Sequence, residues 1–159
     1  MTATTGIGWD SHRLVAGRPL ILGGVALEYD RGLAGHSDGD ALTHAIIDAL
    51  LGAAALGDIG QHFPDTDERY RDADSMLLLC TVVATLAERG LAVAHVDATV
   101  VMERPKLAPY RDAIRAALAD GLGVGAEHVS VKASTGEGMG FVGRGEGVAA
   151  LAVATLHSG

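Results

Sequence analysis

The run over residues 38–56 constrains this chain more than any other segment. Apolar residues recur at Leu42, Ala45, Ile46, Ala49, Leu50 and Ala53, the spacing that lines one side of a helix. Ser37, Asp38 and Asp40 supply capping side chains at its start, and Gly57 supplies the stop. A helix with one apolar side must bury it against another layer.

The rest of the chain offers that layer as strands. Residues 7–14 read as a first strand. Residues 19–27 read as a short apolar strand interrupted at Gly23 and Gly24, a pair that marks a bulge or a tight bend. Residues 31–39 and 58–67 read as loops, the second holding Pro64. A second helix is expected over 74–89, stopped by Gly90, then a β-branched strand over 92–102. Pro105 and Pro109 frame a turn before a third helix over 110–122 and a strand over 129–133. Residues 134–147 hold six glycines and predict no regular element. Residues 146–156 are apolar on every side, as in an element buried in a core or between subunits. Two helix–strand units run in succession, their strands opening on His95-Val96 and His128-Val129, a faint internal echo. The pattern predicts an α+β fold: a two-layer sandwich with a mixed four-stranded sheet and helices packed on one face.

At 159 residues, one domain over 1–159 is expected. Only 4% of residues are aromatic, so Leu, Val, Ile and Ala must fill the core. A net charge of −8 argues against a nucleic-acid partner, which needs a basic face. It does not argue against an anionic small substrate, because a metal and a few local cations can dominate one pocket. Cys80 is the sole cysteine, so no internal disulfide forms, which suits a reducing compartment. Residues 1–10 lack the basic start and apolar run of a signal peptide, and no apolar run reaches membrane-spanning length. A cytoplasmic protein with no membrane partner is expected. The mean hydropathy of +0.26 hints at subunit contacts.

Asp10 and His12 are two apart on the first strand, so their side chains share a face. His44 lies in the first two turns of the first helix and offers a third ligand. Two imidazoles and a carboxylate suit zinc, with a fourth place left for substrate. The ordinary alternatives stand beside this: a D-x-H triplet arises by chance, and a helix histidine is commonly a satisfied one. Asp48, one turn beyond His44, either orients that imidazole or is an ordinary polar residue. His36 and Ser37 precede the helix, where they cap it or meet an anion at its positive end. Ser134-Thr135-Gly136-Glu137 opens a glycine-rich stretch that is neither a P-loop nor a dinucleotide fingerprint. Its backbone amides suit phosphate oxygens, and Glu137 alone suits a magnesium ion that also binds substrate phosphates.

The stretches GIGWDSHRL (6–14), LGGV (22–25), GHSDGDALTHAIIDALLGAAALGDIGQHFPDTD (35–67) and STGEGMGFVGRGEG (134–147) resemble the 2-C-methyl-D-erythritol 2,4-cyclodiphosphate synthase family of the non-mevalonate isoprenoid pathway. The resemblance spans nearly the whole chain. It implies that Asp10, His12 and His44 hold zinc, and that Glu137 holds a second ion, Mg2+ or Mn2+. It implies that His36 and Thr135 stabilise the transition state. Asp10, His12, His36 and Ser37 would also touch substrate. Asp58, Ile59, Gly60, Phe63, Pro64, Asp65, Thr66 and Asp67 would line the methylerythritol side. Met102, Glu103, Arg104, Pro105, Lys106, Leu107 and Ala108 would cradle cytidine. Ser134, Thr135, Gly136, Glu137, Phe141 and Arg144 would complete the contacts.

The implied reaction is attack of the 2-phosphate of 4-diphosphocytidyl-2-C-methyl-D-erythritol 2-phosphate on its β-phosphorus, releasing CMP. The implied assembly is a homotrimer with sites between subunits. In some members an isoprenoid diphosphate binds the central cavity, near Arg144 and Glu146. Two departures stand out. Gly136 and Gly138 replace a threonine and a lysine common in the family, which predicts a looser loop. Trp9 replaces a smaller aromatic facing the cavity, which predicts a different cavity ligand. A zinc phosphodiesterase or hydrolase is the competing enzyme reading, and a non-catalytic isoprenoid-diphosphate binder the competing binding reading.

Overall fold

A computed structural model describes residues 2–158; Met1 and Gly159, the ends of the expected domain, lie outside it. The strands are β1 (Thr2–Ala16), β2 (Leu20–Leu22), β3 (Val25–Leu27), β4 (Arg31–Leu33), β5 (Leu91–Val101), β6 (Val129–Ser134) and β7 (Gly147–Ser158). The helices are α1 (Ala41–Ala53), α2 (Ile59–His62), α3 (Ser75–Glu88), α4 (Arg111–Leu122) and α5 (Gly140–Gly143). The main sheet runs β4-β1-β7-β5-β6. β7 lies antiparallel between β1 and β5, and β6 pairs parallel to β5 after the crossover through α4. That pairing sets Val96 opposite Val129, the two positions of the echo in the sequence.

The architecture is mixed α+β, as expected, but the sheet has five strands rather than four. The added strand is β4, within a segment expected to be loop. Its three residues pair with the end of β1 at Leu14↔Leu33. A strand that short has no periodicity to read. The expected strand over 19–27 is instead two strands forming a hairpin. Gly23 and Gly24 make its turn with φ of 58° and 76°, the left-handed pair that two-residue hairpins favour. Two further segments expected to be irregular carry single helical turns, α2 and α5.

Buried Asp40, not Ser37 or Asp38, caps α1, accepting from Thr43 N at 3.0 Å. It also accepts from Gly23 N at 2.9 Å, Gly24 N at 2.8 Å and Thr43 Oγ1 at 2.8 Å. One carboxylate thus pins the hairpin turn to the start of the helix.

The helices cover one face of the sheet. The core between is aliphatic, with Leu42, Ile46, Ile47, Leu50, Leu79, Leu86, Ile114 and Leu118 fully buried. β1 faces α1 with glycine. A Cβ on Gly8 would stand 1.8 Å from Ala45 O, and one on Gly6 2.1 Å from Ala49 O. Strand and helix backbones therefore touch. β7 presents Ala150, Ala152, Ala154 and Leu156 to the core, and Leu151 and Val153 to the opposite, uncovered face. Its all-round apolarity is thus half used within one chain.

Candidate metal centre and active site

Alternation along β1 continues the inner face from Gly6 and Gly8 to Asp10 and His12. Because the strand touches α1, His44 on the helix's first turn reaches both. His12 Nε2 lies 2.7 Å from Asp10 Oδ2, His44 Nδ1 lies 3.1 Å from the same oxygen, and the two nitrogens are 3.4 Å apart. One donor atom from each residue lies within 4.8 Å of the others. Their side chains are 27%, 17% and 10% exposed in the order Asp10, His12, His44.

Hydrogen-bond direction tests whether this cluster suits a metal. His12 Nδ1 meets the Ala34 carbonyl oxygen at 2.5 Å. A carbonyl only accepts, so Nδ1 carries the proton, and in neutral His12 the lone pair at Nε2 points at an aspartate oxygen. Two electron pairs meeting at 2.7 Å need a cation between them. A proton or a metal fills that role, and the donor set fits a metal.

Without metal the shared proton shifts both groups. Burial opposes charge on His12, but the Asp10 bond and charge outweigh it and hold the imidazole above its usual range. Burial likewise raises Asp10, but the bonds and charges of His12 and His44 outweigh that and hold it below the usual carboxylate range. Asp10 therefore stabilises the fold above about pH 4, and that contribution fades as pH falls through its lowered pKa. His12 contributes fully below about pH 6.5, and loses this as pH rises through its raised pKa. The pair adds most between those limits. In metal-free protein, the Tm difference between wild type and His12→Ala is expected to be largest near about pH 5 and to shrink as pH rises above about 6.5 and through the raised His12 pKa. Thermal melts in chelator check this, and a difference that widens with pH contradicts it.

A cavity of about 400 Å³ opens beside the cluster, lined by His12, Gly35, His36, Ser37, His44, Ile59, Gly60, Phe63, Pro64 and Asp65. Tyr70 and Leu78 complete the wall. Neither was expected, though Tyr70 packs edge-on against Phe63 at 5.2 Å. His36 Nε2 donates to Asp67 O at 2.9 Å, while Thr66 lines a neighbouring cleft and Asp58 caps α2. Asp48 accepts from Ile59 N at 2.7 Å and so fastens this loop to α1. Burial pushes its carboxyl up over the opposing Ile59 bond, and the Asp58 and Asp10 charges add to the rise. Asp48 does not orient His44. The other nitrogen of His44 meets Ser75 Oγ at 2.7 Å and Ser37 Oγ at 3.2 Å.

A second cavity of about 360 Å³ collects Met102, Glu103, Pro105, Lys106, Leu107, Ala108, Ser134, Thr135 and Glu137. Arg111 joins them unexpectedly, its Nε buried without a partner. Gly136 N donates to the Glu103 carboxylate, which holds the glycine-rich loop to this pocket. Arg104 lies outside it, beside Arg144 in another cleft. Phe141 lines a small cleft with Ser11, His12 and Glu146, and Arg144 pairs with Glu146 at 3.0 Å. These two cavities share no lining residue. Within one chain His36 and Thr135 therefore sit apart, as do Glu137 and the three-residue cluster.

Three protein donors with open space alongside are the arrangement of a catalytic metal site rather than a closed structural one. Fold and site together define an α+β protein with a small-molecule pocket beside a donor set that suits a metal. The sequence profile of the YgbB family matches residues 3–157. The 2-C-methyl-D-erythritol 2,4-cyclodiphosphate synthase of Salinibacter ruber is 61% identical over 96% of this chain and 98% of its own length. A solved 2C-methyl-D-erythritol-2,4-cyclodiphosphate synthase in its CDP-bound form superposes with a TM-score of 0.88, at 38% identity over 96% of this chain and 99% of that one. The bifunctional IspDF from Campylobacter jejuni superposes with a TM-score of 0.96, at 40% identity over 99% of this chain and 43% of that longer one. The chain belongs to the YgbB family, that of the 2-C-methyl-D-erythritol 2,4-cyclodiphosphate synthases.

Proposed function

We propose that the chain converts 4-diphosphocytidyl-2-C-methyl-D-erythritol 2-phosphate into 2-C-methyl-D-erythritol 2,4-cyclodiphosphate and CMP. The observation that carries this is the convergence of the Asp10, His12 and His44 donor atoms at the rim of a cavity. Zinc bound there would supply Lewis-acid polarisation of the diphosphate. The chain's own residues do the positioning. Ile59, Gly60, Phe63 and Asp65 hold the methylerythritol end, and Lys106 with its neighbours takes the cytidine end. Thr135 aims its hydroxyl, and His36 in its imidazolium form its Nδ1, at oxygens that gain charge, the Nε2 proton of His36 being held by Asp67 O. Glu137 is the carboxylate for Mg2+ or Mn2+ at the phosphates. The nucleophile is already an anion, so no side chain need act as a strong base. Clamping both ends makes the attack intramolecular, and orientation of that kind is worth roughly 7–11 kcal/mol.

A single chain keeps these two ends in separate cavities, which supports a homotrimer whose sites lie between neighbours. The uncovered sheet face supports it too. Ile7 and Trp9 are 71% and 52% exposed, and they pair across strands with Val153 and Leu151. Isolated, such an apolar patch is costly to leave in water. Among the described residues no helix is long and apolar enough to cross a membrane. The cytoplasm suits the free thiol of Cys80.

The test is incubation with the CDP-linked 2-phosphate substrate, followed by phosphorus NMR with and without chelator. A cyclic diphosphate and CMP are expected, and chelator should stop their formation. A linear monoester product would instead mark a hydrolase. No turnover, with binding of an isoprenoid diphosphate, would mark a binding protein.

A further inference from the structure

We infer that Asp38 and Ser75 act together as a positioning relay that sets the proton on His44 and aims its lone pair at the metal. The inference rests on the reading of Asp10, His12 and His44 as metal ligands. It concerns residues that touch neither metal nor substrate.

The direction of each hydrogen bond follows from what each atom can do. Asp38 Oδ1 makes a short contact with Ser75 Oγ and accepts from Asp40 N at 3.1 Å, while Asp38 Oδ2 accepts from Ser75 N at 2.9 Å. An ionised carboxylate only accepts, so the Ser75 hydroxyl spends its single proton on Asp38. Ser75 Oγ, 2.7 Å from His44 Nε2, is then left only lone pairs to offer. His44 Nε2 must donate, so neutral His44 carries its proton there and keeps Nδ1 bare. Nδ1 is the atom that faces Asp10 and His12. Ser37 Oγ at 3.2 Å is a second, longer acceptor for the same proton.

The relay is also well insulated. Ser75 is fully buried and His44 is 8% exposed, so water does not compete for the bond between them, while Asp38 is half-buried. It joins three elements: the loop before α1, the first turn of α3, and α1 itself. A carboxylate acting on a ligand imidazole raises its basicity as well as fixing its orientation. Here the carboxylate acts through a serine hydroxyl.

Asn at position 38 cannot serve this geometry. Three donors converge on the two carboxylate oxygens, and an amide offers only one oxygen. Its NH2 must face either Ser75 N, which also donates, or Ser75 Oγ, which reverses the hydroxyl toward His44. The reversed hydroxyl favours a proton on Nδ1, where it blocks the metal.

The test measures zinc affinity of metal-free protein by competition with a chromophoric chelator, without substrate. Wild type, Ser75→Ala, Asp38→Asn and the double variant are compared, with melts in chelator to check folding. Removing outer partners of metal ligands typically costs about 10–100-fold in affinity. Ser75→Ala and Asp38→Asn are each expected to bind zinc about 10–100-fold more weakly than wild type. The double variant should bind no more weakly than Ser75→Ala alone, because both changes break one chain. Single variants within about twofold of wild type, or losses that multiply in the double variant, would overturn the relay.

A measurement on wild type alone covers the case of a variant that fails to fold. In zinc-loaded protein, nitrogen-edited NMR should place a slowly exchanging proton on His44 Nε2. Fast exchange of that proton with solvent would also overturn the relay. The outcomes separate cleanly: no zinc binding by wild type sinks the metal site itself, whereas zinc binding that ignores both substitutions sinks only the relay.

Discussion

His12→Ala is expected to fold normally, to lose its zinc, and to lose about 10³-fold or more in kcat/KM. The size follows from what the site is asked to supply. Lewis-acid stabilisation of a phosphoryl oxygen is worth several kcal/mol, and about 4 kcal/mol corresponds to about a thousandfold in rate. Folding should survive because His12 contributes little to the core. Its strand is held by backbone pairing from Thr2↔Ser158 to Arg13↔Gly147, whatever side chain stands at position 12. What the substitution removes is one donor of three, and with it the electron pair that faces Asp10. Zinc content by absorption spectroscopy, steady-state kinetics and a melt in chelator read the three parts separately. A variant that keeps full activity without zinc would remove the metal from the proposed mechanism.

The parts of this site that could be read from the sequence share one property: their geometry is set by local periodicity. Asp10 and His12 share a face because strands alternate. His44 lies one turn beyond Ala41 on the buried side of α1, so the helix turns it toward the sheet. Gly23-Gly24 announced a bend for the same local reason. Asp38 was legible only as a capping residue and Ser75 not at all, because the bond between them links residues 37 positions apart and forms only when α3 is docked. Asp48 was misleading in the complementary way. Its helical spacing from His44 is correct, yet its oxygen is taken by Ile59 N from a loop whose path no periodicity describes. β4 is too short to have a period, and Arg111 enters the second cavity only through the turn that brings α4 beside β6.

The close approach of β1 and α1 was also invisible in the sequence, and it has the largest expected effect on the fold. Gly8→Ala should destabilise the protein by about 3 kcal/mol or more, the upper end for forcing extra atoms into a packed interior. The new methyl would sit 1.8 Å from Ala45 O and 2.8 Å from Ala49 N, both backbone atoms, so no side-chain rotation relieves the clash. Strand and helix must move apart instead, and α1 is the element that carries His44 to Asp10 and His12. Loss of stability and loss of metal affinity are therefore expected together. At roughly 2–4 °C per kcal/mol for a chain of this size, Tm should fall by about 10 °C. Gly52→Ala provides the contrast. It lies on the exposed side of the same helix, where a Cβ meets nothing nearer than 3.8 Å. Replacing a glycine in the last turn of the helix there should stabilise by about 0.4–1 kcal/mol. Thermal melts of the two variants, with zinc titrations alongside, decide the matter. A Gly8→Ala protein that melts with wild type would mean that β1 and α1 are not in backbone contact, and that His44 reaches the metal by some other route.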